Sequence, residues 1–176
     1  QLITVIILLC LSAFFSSSET ALTTVNQIRM RTLADNGDKR AARVLRVTGN
    51  PGKMLSAILI GNNIVNLSAS SISTSLAIHL FGNTGAGIAT GILTFLILIF
   101  GEVTPKTMAT IKADSMSLTV AAPIGLLMKI LTPVIFIINK LSLGLMFLLH
   151  VNIKDAQKKM TEEELRTIVD VSQENG

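Results

Sequence analysis

Tryptophan and tyrosine are absent from this chain of 176 residues, and cysteine occurs once. Without them there is no ordinary aromatic belt at a membrane surface, so anchoring falls to Lys and Arg. Seven Phe leave little for base stacking, which argues against a nucleic-acid partner. Cys10 sits in an apolar run and has no second cysteine to pair with, so the redox compartment is not encoded here. Charge is also scarce, at 15% of residues, where a soluble domain carries about 25%. What is abundant is apolar: hydrophobic residues make up 49% of the chain and the mean hydropathy is +0.61. The net charge of +4 comes from clustered Lys and Arg rather than from a uniform basic surface. No Asp sits in an apolar span, so an intramembrane hydrolase is not expected and the chain does not read as an enzyme.

The hydropathy pattern predicts an all-α membrane protein with three transmembrane helices. Residues 1–18 carry no charge and read as most of one span, trimmed at its start. They lack the basic opening and cleavage site of a signal peptide. From Asn26 to Lys53 the chain turns basic: Arg29, Arg31, Lys39, Arg40, Arg43, Arg46 and Lys53 outnumber Asp35 and Asp38. Apolar residues recur there, which predicts one or two short amphipathic helices broken at Asn36-Gly37. The positive-inside rule places this loop in the cytoplasm. Attraction to anionic lipid headgroups is compatible with that role. Asn50-Pro51-Gly52 marks a break, with Pro suited to the first turn of the next helix. Residues 54–81 are the second span, a little longer than the ~20 required. Gly82-Asn83-Thr84-Gly85 is a short outer connection, and residues 87–105 are the third span with its closing polar cluster. Gly87 and Gly91 have the spacing that permits close helix packing.

Residues 117–150 are apolar but interrupted by Pro123, Pro133, Lys129 and Lys140. The basic loop before Lys53 and the basic tail at Lys154, Lys158 and Lys159 belong on one side, and two spans already lie between them. One further crossing would put the tail outside. The region therefore reads as cytoplasmic-side juxtamembrane helices or a re-entrant hairpin, with lysines snorkelling; two short crossings would keep the same parity. Residues 1–150 form the membrane domain, N-terminus outside and C-terminus cytoplasmic, in the cell membrane. Residues 151–176 read as the start of a cytoplasmic helical linker, opened by a capping box at Thr161 and Glu164. A helix of so few turns is marginal alone, so a cytoplasmic domain is expected beyond it.

Three polar clusters interrupt the apolar runs: Ser16-Ser17-Ser18-Glu19-Thr20, Gly61-Asn62-Asn63-Ile64-Val65-Asn66, and Gly101-Glu102-Val103-Thr104-Pro105-Lys106. Amides and carboxylates at membrane depth are costly and mark ion paths. Asn62 and Asn66 share one helix face, and Ser70 continues the stripe. Glu102 supplies charge, Gly101 bares a carbonyl, and Pro105 removes a backbone donor and bends or ends the helix. Ser16 to Ser18 can add a hydroxyl. These hard oxygen donors suit Mg2+, Ca2+ or Na+, not copper or zinc. Each piece also has a plainer reading. Asn in a span is often helix–helix glue worth about 1 kcal/mol. Glu102 has a possible partner in Lys106 at i+4. Serines in spans more often pack than ligate.

The same three clusters, in this order and spacing, resemble the transmembrane domain of the CorC/cyclin M (CNNM) magnesium transporters. Met160-Thr161-Glu162-Glu163-Glu164-Leu165 resembles that family's linker to its cytoplasmic part. The resemblance covers nearly the whole chain. It implies a homodimer in the lipid bilayer, three spans per subunit, and Mg2+ export with Na+ entry as the coupling flux. It implies Mg2+ held by Ser16, Asn62, Asn66, Glu102 and the Gly101 region. It further implies a paired CBS regulatory domain outside these residues. The alternatives are a Mg2+-sensing or dimerising membrane module that does not transport, and a passive channel.

Overall fold

The computed structural model describes residues 2–149. His150, the basic tail and the expected capping box at Thr161 lie outside the described residues. Every described element is helical. The first is α1 (Leu2–Thr24), followed by α2 (Gln27–Asp35) and α3 (Lys39–Thr48). Next come α4 (Pro51–Gly82) and α5 (Gly85–Ile111), then α6 (Ala113–Ile130) and α7 (Thr132–Leu148). The membrane-length expectation holds. By length and composition α1, α4, α5 and α6 are each able to cross a bilayer. The last of these falls where juxtamembrane helices were expected. It is the shortest of the set, at 18 residues and a mean hydropathy of 1.2.

Local chemistry sets the boundaries. Asn26 caps α2 by accepting from the Arg29 N–H at 3.0 Å. Asp38 caps α3 by accepting from the Arg40 N–H at 2.7 Å. Asn50 caps α4 by accepting from the Lys53 N–H at 3.1 Å, with Pro51 in the first turn. These caps satisfy donors that a helix start leaves without partners. The break between α2 and α3 falls at Asn36-Gly37, where Gly37 has a φ of 92°. Gly82 turns the chain between α4 and α5 with a φ of 70° and a ψ of −175°, a conformation open to Gly and strained for most other residues.

Two expectations need correction. Pro105 does not end its helix, which runs on to Ile111. The seven residues Ile97–Val103 wind instead as a π-helical segment, and the Thr104 N–H reaches back to the Ile99 carbonyl. The apolar region expected to begin at residue 117 is already helical from Ala113, and its helix breaks at Leu131 rather than at either proline. Pro123 lies inside α6, and Pro133 occupies the opening turn of α7.

Residues up to Thr132 form one compact unit built around α1, which packs on α4, α5 and α6. Small residues close the crossings: Ala21, Ala57, Ala109 and Ala121 are fully buried, as suits helices that associate by close packing in lipid. Leu22, Met30, Val44, Met54, Ile58 and Ile124 fill the space between. Asp114 ties α6 to the start of α2, accepting from the Asn26 N–H at 3.0 Å and from Arg29 Nη1 at 2.9 Å. The outer faces of α4 and α5 leave Leu59, Leu67, Ile88, Ile92 and Phe95 exposed, as a lipid-facing surface would. Within α7, Lys140 Nζ sits 4.8 Å over the Phe136 ring.

Candidate functional site

Hydroxyl groups in α1 divide into two kinds. Ser17 and Ser18 donate to the Phe14 carbonyl at 3.1 and 2.6 Å, so they are spent on their own helix. Ser12 and Ser16 lie one turn apart on one face. Both are 1% exposed, and neither hydroxyl has a hydrogen-bond partner. Of the serine cluster, Ser16 is thus the residue left open for a ligand.

On α4, Asn62 and Asn66 are half-buried, while Asn63 and Ser70 are exposed. The Asn62 and Asn66 side-chain carbonyl oxygens are buried and unpartnered. Ser70 therefore does not extend the buried stripe. Asn66 Nδ2 donates to Glu102 Oε1 at 3.4 Å, which turns the amide so that its own oxygen stays free. Glu102 is half-buried and Gly101 is buried, both within the π segment of α5.

Two glycines draw the three helices together. A Cβ on Gly61 would stand 2.6 Å from Phe15 Cζ, so the ring of α1 lies directly on α4 there. A Cβ on Gly101 would stand 2.9 Å from Ser12 Oγ, so α1 meets α5 backbone-close. Each of these contacts involves a neighbour of a candidate residue: Phe15 precedes Ser16, Gly61 precedes Asn62, and Gly101 precedes Glu102. With the Asn66–Glu102 bond, they bring the segments that carry Ser16, Asn62, Asn66, Gly101 and Glu102 to one junction of α1, α4 and α5.

The π segment explains why Gly101 matters. Thr104 bonds to the carbonyl five residues back. Pro105 has no N–H, so it gives no donor to the carbonyls of Phe100 or Gly101. π segments inside α-helices are frequent at functional sites. Lys106, the alternative partner of Glu102, instead pairs with Glu19 at 3.6 Å on an exposed surface. Glu102 is left with Asn66.

Ser12 is the residue that sequence reasoning missed. Its only signal is its place four residues before Ser16, on the same face. Among the described residues no three His, Cys, Asp or Glu side chains gather in one place. The junction rests instead on neutral oxygens around one carboxylate. A buried acceptor without a donor costs roughly 1–3 kcal/mol. Four such oxygens, on Ser12, Ser16, Asn62 and Asn66, are buried here without a partner. The Gly87–Gly91 pair meets nothing within 4 Å and takes no part in this packing. A cavity of about 540 Å³ lies elsewhere, beside Arg29 and Asp114.

Comparison with known proteins shows the family. A UPF0053 protein of Haemophilus influenzae is 40% identical over 167 residues, covering 95% of this chain and 40% of the relative. The UPF0053 inner membrane protein YfjD of Escherichia coli is 36% identical over 160 residues, covering 90% and 37%. A chloroplastic DUF21 domain-containing protein of Arabidopsis thaliana is 35% identical over 164 residues, covering 93% and 25%. The chain thus spans two-fifths or less of the length of these relatives. The family model described as the cyclin M transmembrane N-terminal domain matches residues 2–176. Multi-span, all-α and built on a three-helix junction, this chain belongs to the cyclin M transmembrane domain family.

Proposed function

We propose that this chain carries Mg2+ across the membrane, outward and coupled to Na+ entry, through the junction of Ser16, Asn62, Asn66, Gly101 and Glu102. One observation carries the reading: four buried side-chain oxygens on α1 and α4 have no hydrogen-bond partner, and one of them belongs to Asn66, whose amide nitrogen meets the half-buried Glu102 carboxylate. Mg2+ takes hard oxygen ligands and gives up its water reluctantly. A set of protein oxygens with one charge can replace part of that shell without trapping the ion. Glu102 offsets charge, Ser16 and the two Asn amides set the size, and the Gly101 carbonyl faces no donor from Pro105. The α1–α4 contact at Phe15 and Gly61 is where one helix can rock against another to alternate access.

In this reading three of the apolar helices, α1, α4 and α5, cross the bilayer. The N-terminus is outside, and α6 and α7 lie at the cytoplasmic face of the cell membrane. Two copies pair, and paired CBS domains in the rest of the protein regulate the flux. The Escherichia coli relative is named an inner membrane protein, which supports this location.

The test is Mg2+ flux in proteoliposomes of the full-length protein, with and without a Na+ gradient, for the parent and Glu102→Ala. Flux that needs both Na+ and Glu102 is expected. Flux that survives Glu102→Ala overturns the site. A folded parent that binds Mg2+ but moves none is a sensor or dimerising module. Flux indifferent to Na+ makes it a passive channel.

A further inference from the structure

A second charged feature is untouched by the ion site. Between α3, the first turn of α4 and α6 lies a cleft of 290 Å³ that contains Arg43, Arg46, Lys53 and Lys129. Among the described residues no acidic side chain lines it. The ion pairs among the described residues lie elsewhere, at Arg29–Asp114, Arg40–Asp38 and Lys106–Glu19. Cations gathered without a counter-charge repel one another, and an anion relieves that repulsion. The cleft is also built rather than incidental. Gly125 admits α3 so closely that a Cβ there would stand 3.2 Å from Val47 Cγ2. Leu126 forms an exposed apolar wall, and Ile130 continues it one turn on.

Depth identifies the ligand. Lys53 lies in the first turn of α4, and from Met54 to Gly82 the helix carries no Asp, Glu, Lys or Arg. The cleft therefore sits where the chain passes from its basic segment into its membrane span. We propose that this cleft binds the headgroup of an anionic phospholipid carrying more than one phosphate charge. Arg43, Arg46, Lys53 and Lys129 hold the phosphates, and Leu126 and Ile130 carry the first part of an acyl chain. Basic pockets beside membrane helices on the cytoplasmic side bind such headgroups. General attraction of a basic loop to an anionic leaflet makes a different demand: it weighs Arg31 and Lys39, exposed and outside the cleft, equally with Arg46 and Lys129.

Native mass spectrometry of the full-length protein in detergent, with cardiolipin, phosphatidylglycerol or phosphatidylcholine added, tests this. Cardiolipin should be retained best. Arg46→Gln with Lys129→Gln should weaken its retention by about 30-fold, since each charge near a phosphate is worth about fivefold. Arg31→Gln with Lys39→Gln should change it by less than about twofold on the same scale. Leu126→Gln, which leaves every charge in place, should weaken cardiolipin but not soluble glycerol phosphate. Equal losses from the two charge pairs, or no loss from either, would overturn the site. Glycerol phosphate binding as tightly as cardiolipin would overturn the lipid in favour of a free phosphate.

Discussion

Replacing Gly61 with alanine puts the α1–α4 contact under direct test. The added Cβ would lie 2.6 Å from Phe15 Cζ, 2.7 Å from Cε1 and 3.2 Å from Cε2. Non-bonded carbons settle at roughly 3.5–4.0 Å, so the ring tip must retreat by about 1 Å. It has little room to do so. Phe15 is 9% exposed and stands edge-on to Phe14, with ring centroids 5.4 Å apart. Overpacking of this size costs about 1–3 kcal/mol. The same displacement disturbs the backbone beside Ser16 and Asn62, since each is the chain neighbour of a clashing residue. Gly61→Ala should therefore lower stability by that amount in detergent unfolding and weaken Mg2+ binding together. Phe15→Leu removes the ring tip, so the double variant should recover part of both losses, with a coupling of roughly 1–2 kcal/mol. A Gly61→Ala protein as stable and as competent as the parent would refute this account. So would a double variant whose losses simply add.

Three other outcomes follow from the same contacts. Ser16→Ala removes a buried hydroxyl with no partner, so it should leave stability unchanged or raise it by about 1 kcal/mol while weakening cation binding; Ser18→Ala, whose hydroxyl serves Phe14, should spare binding, and titration calorimetry separates the two. Asp114→Ala removes the acceptor of both Asn26 and Arg29 and should cost about 1–3 kcal/mol, seen as faster amide exchange across α2 in the full-length protein. Asp38 accepts the Arg40 backbone N–H, and that bond holds its carboxyl below the ordinary value of 3.8. Its contribution to folding is complete above that value and is lost as pH falls through the lowered folded value. Exchange of the Arg40 amide should therefore quicken only in acid, and Asp38→Asn should abolish that pH dependence while keeping the cap.

The helices were legible because the chemistry that makes them is local. Asn50-Pro51 opens α4, Gly37 parts α2 from α3, and the apolar runs give α1, α4 and α5 their length. Asn62 and Asn66 were legible because four residues bring side chains to one face. What stayed hidden depends on partners distant in sequence. A serine at position 12 looks like any packing residue until Gly101 is seen against it. The π segment leaves no side-chain pattern apart from Pro105, since it is a choice of backbone partners. The simplest reading of Lys106 fails for a similar reason: the i+4 rule names a neighbour on the same helix, whereas Lys106 reaches Glu19 on α1. Pro123 and Pro133 misled in the opposite direction. One lies within α6 and the other opens α7, while the break falls between them at Leu131.

The π segment makes α5 a screw with one thread to spare. Moving every bond of the segment by one acceptor, that of the Thr104 N–H from the Ile99 carbonyl to that of Phe100 among them, would restore α winding without unfolding a turn. One residue of α helix is about 100° of rotation and 1.5 Å of advance. Such a slip would swing Glu102 against Asn66, and it would carry everything from Gly85 onward along with it. The outer half of α5 and its carboxylate are thereby geared together: neither can turn on this thread unless the other does.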